Sequence, residues 1–218
     1  MAPQDPLGFK CAAAATSGGG GIGKGIAQYF VSKGKKVLIA GRTESNLQST
    51  AKEIGAAGYY VLDTGKSAEI PSFVEKITAE HPDLDCPVNN AGVQWPLEVV
   101  KDDAFLSKAD QEIDSKPSAL IINVSSILGF VPFVIVNPVA KSSIRVVEIA
   151  PPLVATDLHR ERSDPDEYKK NPNALSVDEF MNEVSEKLER GDEMINAGLG
   201  NEMVDKWCNA LGDRYPSS

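Results

Sequence analysis

Cysteine is scarce in this chain: Cys11, Cys86 and Cys208 are the only three, and they lie far apart. They form neither a metal-binding pattern nor an even disulfide framework, which points to a reducing compartment. Positive charge is also in short supply. With 22 Lys and Arg against 31 Asp and Glu, the formal net charge is −9, a balance that repels nucleic acid and anionic membrane surfaces. No apolar run approaches the length of a membrane span. The opening MAPQDPLGFK has no basic segment leading into an apolar core, so no secretory signal is expected. Internal repeats are lacking too. A cytoplasmic protein with no nucleic-acid, membrane or metal partner is the expectation. At 218 residues the length suits one domain with a sizeable core better than two.

What is present alternates. FKCAAAAT (9–16) reads as a first strand, weakened by four alanines where β-branched residues would be better. IGKGIAQYFVSK (22–33) reads as a helix that Gly34 stops in a left-handed conformation. KKVLIAGR (35–42) is a second strand, and the helix after it can be capped by Thr43. GYYVLDT (58–64) is a third strand. Residues 67–81 place Ile70, Phe73, Val74 and Ile77 on one helical face, closed by Pro82. CPVNNAG (86–92), ALIINVSS (119–126) and IRVVEIAP (144–151) are short apolar runs suited to strands buried on both faces. Strand and helix in this order predict an α/β fold, a Rossmann-like doubly wound parallel sheet in a single domain. Residues 9–158 form its nucleotide-binding part and 159–218 a C-terminal helical extension. In that extension Ser176 and Glu179 fit a capping box. Val177, Phe180, Met181, Val184 and Leu188 form an apolar stripe before Gly191, and Met203, Val204 and Trp207 suggest a last short helix. Residues 159–173 read as a polar surface loop.

ATSGGGGIGKG (15–25) joins the first strand to the first helix. A dinucleotide requires glycine here because its pyrophosphate must touch backbone N–H groups at a helix N-terminus, where a Cβ would intrude. Two spacings fit. Gly18, Gly20 and Gly23 match the general dinucleotide fingerprint; Thr16, Ser17, Gly21 and Gly23 match a TGxxxGxG variant with Ser17 in place of its first Gly. A flexible glycine-rich turn is the plainer alternative. At the end of the second strand, where NAD enzymes carry an acid, the sequence has Gly41 and Arg42. A guanidinium can bind a 2′-phosphate as a fork that a carboxylate would repel, so NADP(H) is favoured over NAD.

Together with the glycine loop, NNAG (89–92), Asp63, INVSS (122–126) and APPLVATDL (150–158) make the chain resemble the short-chain dehydrogenase/reductase family over most of residues 9–160. The resemblance implies that the backbone from Ser17 through Gly18, Gly21 and Ile22 to Gly23 cradles the pyrophosphate. It implies that Arg42 meets the 2′-phosphate, that Asp63 contacts adenine, and that Asn90, Ala91 and Gly92 lie against the ribose. Val154 and Thr156 would sit by the nicotinamide carboxamide. Ser126, or Ser125 beside it, matches the serine that hydrogen-bonds the substrate carbonyl, and Pro151-Pro152 stands where the family has Pro-Gly.

The family's chemistry is hydride transfer between nicotinamide and a carbonyl or alcohol, with a Tyr as general acid or base, a Lys four residues later and an Asn in the preceding helix. No Tyr occurs between Tyr60 and Tyr168, and Ser115 stands where the Asn is expected. Lys141 reads as a surviving active-site Lys or, with no helix to place it, as a loop lysine. The one Tyr-x-x-x-Lys, Tyr29 to Lys33, falls in the first helix, where Tyr29 is expected to pack beside the sheet and Lys33 to face solvent. The two segments that carry the Asn and the Tyr are helices covering one sheet face in the family. Residues 102–114 offer one helical candidate, while Pro132 and Pro138 keep 127–143 from forming a covering helix. Pro87 in a central strand removes a ladder hydrogen bond.

Three functions are compatible with this pattern. The first is an NADP(H)-dependent oxidoreductase acting on a small carbonyl or alcohol. The second is a non-catalytic dinucleotide-binding protein, and the third a truncated chain that does not fold alone. The sequence leaves the substrate and any homo-oligomer open.

Overall fold

The computed structural model describes residues 6–15, 20–90, 122–124, 147–156, 158 and 170–211. Strands β1 (Cys11–Ala15), β2 (Lys36–Gly41), β3 (Gly58–Val61), β4 (Leu84–Asn89), β5 (Ile122–Val124), β6 (Val147–Ile149) and β7 (Met194–Ile195) form one sheet. Their order is β3-β2-β1-β4-β5-β6-β7, and each neighbouring pair is parallel. This is the doubly wound, Rossmann-like arrangement. Helices α1 (Gly21–Ser32), α2 (Glu44–Ile54), α3 (Ile70–Glu80), α4 (Val177–Arg190) and α5 (Leu199–Leu211) accompany it. The expectations for residues 102–114, 127–143 and 159–169 lie outside the described residues.

The alanines of β1 form a strand despite their poor propensity because the strand is central, laddered to β2 and β4 on either side. Ala12 and Ala14 are fully buried in the larger core with Ile26 and Phe30 of α1. A small side chain there lets the helix lie close to the sheet. Cys11 points to the other face and joins Leu38 and Ile77 in a second, smaller cluster with Tyr60 and Phe73 around it. Cys11 and Cys86 therefore belong to different faces. Burial pushes both thiols up, Cys86 to about 12, which leaves them as inert core residues.

Pro87 lies inside β4, opposite Ala13 of β1, and the ladder to β5 starts at Val88, one residue beyond it. At its start β1 is held by Asp85, whose Oδ1 accepts from the N–H groups of Lys10 and Cys11, both at 2.9 Å.

Gly34 adopts φ 73°, with the N–H of Lys35 donating to the Phe30 carbonyl, the left-handed stop expected of α1. Thr43 occupies the N-cap of α2 with extended backbone, yet its side chain makes no capping bond. The capping box of α4 is complete: Glu179 N–H donates to Ser176 Oγ at 3.1 Å, and Ser176 N–H donates to Glu179 Oε2 at 2.8 Å. Phe180, Val184 and Leu188 of its stripe are buried.

The C-terminal segment does more than add helices. Met194 and Ile195 form β7, with the N–H of Ala150 donating to the Ile195 carbonyl at 2.7 Å. Two residues are too few to show a period, so this strand had no sequence signal.

Gly25 has a packing role separate from the glycine loop. A Cβ at that position would lie 2.9 Å from Met181 Cγ and 3.1 Å from Val177 Cγ1, so glycine is what lets α1 and α4 touch.

Candidate functional site

In an open parallel sheet, ligands bind outside the carboxyl ends of the strands where the strand order reverses. Here that point lies between β1 and β4. The chain leaving β1 enters α1 through Gly20, the N-cap, with extended φ −134° and ψ −171°. Among the described residues no side chain caps this helix, and its first turn carries no acid. Its N-terminal dipole and backbone donors thus face a region free of competing protein charge from the helix itself. A Cβ built on Gly20 would meet nothing within 4 Å, whereas Gly21 has φ +63° and its Cβ would lie 3.4 Å from Thr156 Cγ2. The structure therefore brings the start of α1 and the segment after β6 into contact. Among the described residues none comes near a Cβ on Gly20, whereas a side chain lies close to one on Gly21.

The other expected site residues fall as follows. Ile22 is half-buried and Gly23 is buried in the first turn of α1. Arg42 follows β2 and is exposed, with no hydrogen bond or ion pair to any described residue. Asp63, just past β3, is half-buried and accepts the N–H of Gly65 on Oδ1 at 3.1 Å. Asn90 follows β4 directly and is half-buried. Val154 is buried and bridges to Leu175, and Thr156 lies against Gly21. All these positions are at the carboxyl ends of β1, β2, β3, β4 and β6. Ser17, Gly18, Ala91, Gly92, Ser125, Ser126 and Lys141 lie outside the described residues.

Tyr29 and Tyr60 are poorly suited to act as a general acid. Tyr29 packs against the larger core, and its hydroxyl donates to Glu189 Oε1 of α4 at 3.2 Å. Its pKa is pushed up to about 12, first by burial and then by the Glu189 carboxylate. A catalytic tyrosine needs the opposite shift, toward working pH. Lys33, four residues on, is exposed and pairs with Glu189. Tyr60 is likewise raised to about 12, by burial and by its bond to Glu80.

Gly20 is the position that spacing alone left undistinguished. It sits within a run of four glycines, Gly18 to Gly21, and only the backbone shows which one caps the helix. A polar cluster at the far edge also escaped the sequence. Lys187 Nζ donates to the carbonyl and Oδ1 of Asn196 at 2.8 and 2.9 Å and to Asn201 Oδ1. Glu183 accepts from the N–H of Gly198 and from Asn201. Burial holds the Lys187 ammonium below its ordinary pKa. These bonds tie α4 to the β7–α5 turn.

A family model described as short chain dehydrogenase matches residues 12–114. DltE of Bacillus subtilis, an uncharacterized oxidoreductase, is 24% identical over 236 residues, covering 92% of this chain and 91% of the relative. Human dehydrogenase/reductase SDR family member 11 is 28% identical over 141 residues, covering 52% of this chain and 53% of the relative. The probable oxidoreductase EphD of Mycobacterium tuberculosis is 38% identical over 82 residues, which is 36% of this chain but 14% of that protein. Among solved structures, the closed form of serine dehydrogenase complexed with NADP+ superposes with a TM-score of 0.70 at 19% identity, covering 86% of this chain and 94% of that one. A 3-ketoacyl-(acyl-carrier-protein) reductase from Brucella melitensis complexed with NADH gives 0.67 at 20% identity, covering 87% and 96%. At such identities the two structures speak for the fold.

Proposed function

The chain belongs to the short-chain dehydrogenase/reductase family, and from that premise we propose that it binds NADP(H) at the carboxyl ends of its parallel strands. The observation that carries this reading is the uncapped start of α1. No described residue stands where a Cβ on Gly20 would be, and no acid lies in the first turn. A phosphate placed there gains backbone donors and the helix dipole together.

The residues from Ser17 to Gly23 would hold the pyrophosphate through main-chain N–H groups. Arg42, exposed after β2, would fork onto the 2′-phosphate. Asp63 has one carboxylate oxygen engaged by Gly65, and the other would accept from adenine. Asn90, Ala91 and Gly92 would border the ribose, and Val154 and Thr156 the carboxamide. When bound, the nicotinamide supplies or accepts a hydride. Ser126 would orient a substrate carbonyl by hydrogen bonding, and Lys141 would remain a loop lysine. The protonation step lacks its usual tyrosine, since none lies between Tyr60 and Tyr168. Binding without efficient turnover is therefore the favoured form of the reading, and NADP(H)-dependent reduction of a small carbonyl is the ancestral activity.

The test is a fluorescence titration with NADPH and NADH. Arg42→Ala should weaken NADPH binding about 10–100-fold, the worth of a charge-assisted contact, and leave NADH unchanged. Gly20→Ala should weaken binding of both cofactors while leaving the melting temperature nearly in place, because its Cβ meets no described residue within 4 Å. Absence of NADPH binding by the unaltered chain at millimolar cofactor would refute the proposal.

A further inference from the structure

Two residues beyond Arg42 stands a second charge that the NADP(H) reading leaves unused. Glu44 is the first residue of α2 and is exposed. Its Cα lies within about 7.6 Å of that of Arg42, the extended span of two residues. A carboxylate so close shares a Debye length of about 8 Å with anything the guanidinium binds. It therefore repels a 2′-phosphate and competes for the same cation. The sequence by itself makes Glu44 an obstacle to NADP(H).

The structure gives this carboxylate a different partner, in β3. Tyr59 of β3 reaches up to the start of α2, and its hydroxyl donates to Glu44 Oε1 at 3.5 Å. Both residues line an open groove of about 620 Å³ along the outer edge of β3, shared with Glu69, Ser72 and Lys76. With such room around it, the Glu44 side chain is not fixed by packing. Its hydrogen bond to Tyr59 is what draws it toward β3. At 3.5 Å the bond is long, so its pull is partial.

We infer that Tyr59 is a positioning residue for cofactor choice: by drawing Glu44 toward β3 it keeps Arg42 available to a 2′-phosphate. The inference rests on the NADP(H) reading. Tyr59 touches neither cofactor nor substrate in this scheme; it acts through Glu44. NADH carries no 2′-phosphate, so its binding is indifferent to where Glu44 points.

The experiment compares NADPH and NADH dissociation constants, by intrinsic fluorescence, for the unaltered chain, Tyr59→Phe, Glu44→Gln and the double variant. Tyr59→Phe removes only the hydroxyl. It should weaken NADPH about three- to tenfold, the scale of one solvated like-charge contact, with NADH unmoved. Glu44→Gln in the Tyr59→Phe background should restore the NADPH affinity, and Glu44→Gln alone should change it by less than about threefold. Three results would overturn the inference: equal loss of both cofactors in Tyr59→Phe, unchanged NADPH binding in Tyr59→Phe, or failure of Glu44→Gln to rescue. If the unaltered chain does not bind NADPH, the failure belongs to the NADP(H) reading instead. If it binds NADPH and Arg42→Ala weakens it while Tyr59→Phe does not, the failure belongs to Tyr59 alone.

Discussion

Phe180→Ala should lower the melting temperature by roughly 6–20 °C, from a loss of about 3–5 kcal/mol for a fully enclosed aromatic. Phe180 has no exposed surface and sits in the same core as Val184, Leu188, Ile26 and Phe30. It lies on α4, a helix with a complete capping box at its start and Gly191, at φ 84°, as its left-handed stop. The helix itself will persist in outline after the change, while the core beside β1 loses its filling. Since whole domains are stable by only about 5–15 kcal/mol, a loss of this size is a large fraction of the total. Calorimetry of both chains checks this. A single sharp transition in the unaltered chain would also exclude the reading in which the polypeptide cannot fold alone. A broad, featureless melt indifferent to Phe180 would mean that α4 does not pack as described.

The second large effect concerns turnover. With NADPH and a panel of aldehydes and ketones, we expect consumption of the cofactor about 10²–10⁴ times slower than in a relative carrying the family tyrosine, the usual cost of losing a general acid. The tyrosines near the sheet do not substitute for it. Tyr29 donates to Glu189 and is raised to about 12, and Tyr60 is held by Glu80 and raised to about 12. Each is poised to keep its proton at neutral pH. Nicotinamide absorbance followed over time is the measurement. A brisk, metal-independent reduction abolished by Ser126→Ala alone would show that the chain finds its proton elsewhere.

Much of the fold was legible because its signals are periodic or chemical. The apolar face of α4, the box formed by Ser176 and Glu179, and the glycines at 34 and 191 each impose a local geometry that long-range contacts did not need to supply. On α3 the expected face is only partly used, with Ile77 buried and Val74 47% exposed. What was faint or escaped was set by context. β1 reads as a weak strand from its alanines and is made a firm one by the two neighbours that ladder to it. β7 is too short to carry a pattern. Thr43 takes the N-cap without using its hydroxyl. Motif spacing proposes Gly21, Arg42, Asp63, Asn90 and Thr156 as cofactor residues, and they lie at the carboxyl side of the sheet. It gave Gly25 no role, although that glycine serves helix contact with Met181. It was also silent on the approach of Tyr59 to Glu44, fifteen residues away in sequence and adjacent only once β2 and β3 have paired.

Leu175 is joined to the chain after β6 by two main-chain bonds, its N–H to the Leu153 carbonyl at 3.0 Å and its carbonyl to the N–H of Ala155 at 2.8 Å. Whatever residues lie between 156 and 174, their two ends are stapled together. Doubling the length of such a stretch raises its closure entropy by only about 0.6 kcal/mol. Insertions there would be borne almost without penalty, next to Thr156, which the proposed function places near the nicotinamide. This makes the stretch a place where length can change between proteins of a common scaffold while the sheet stays the same.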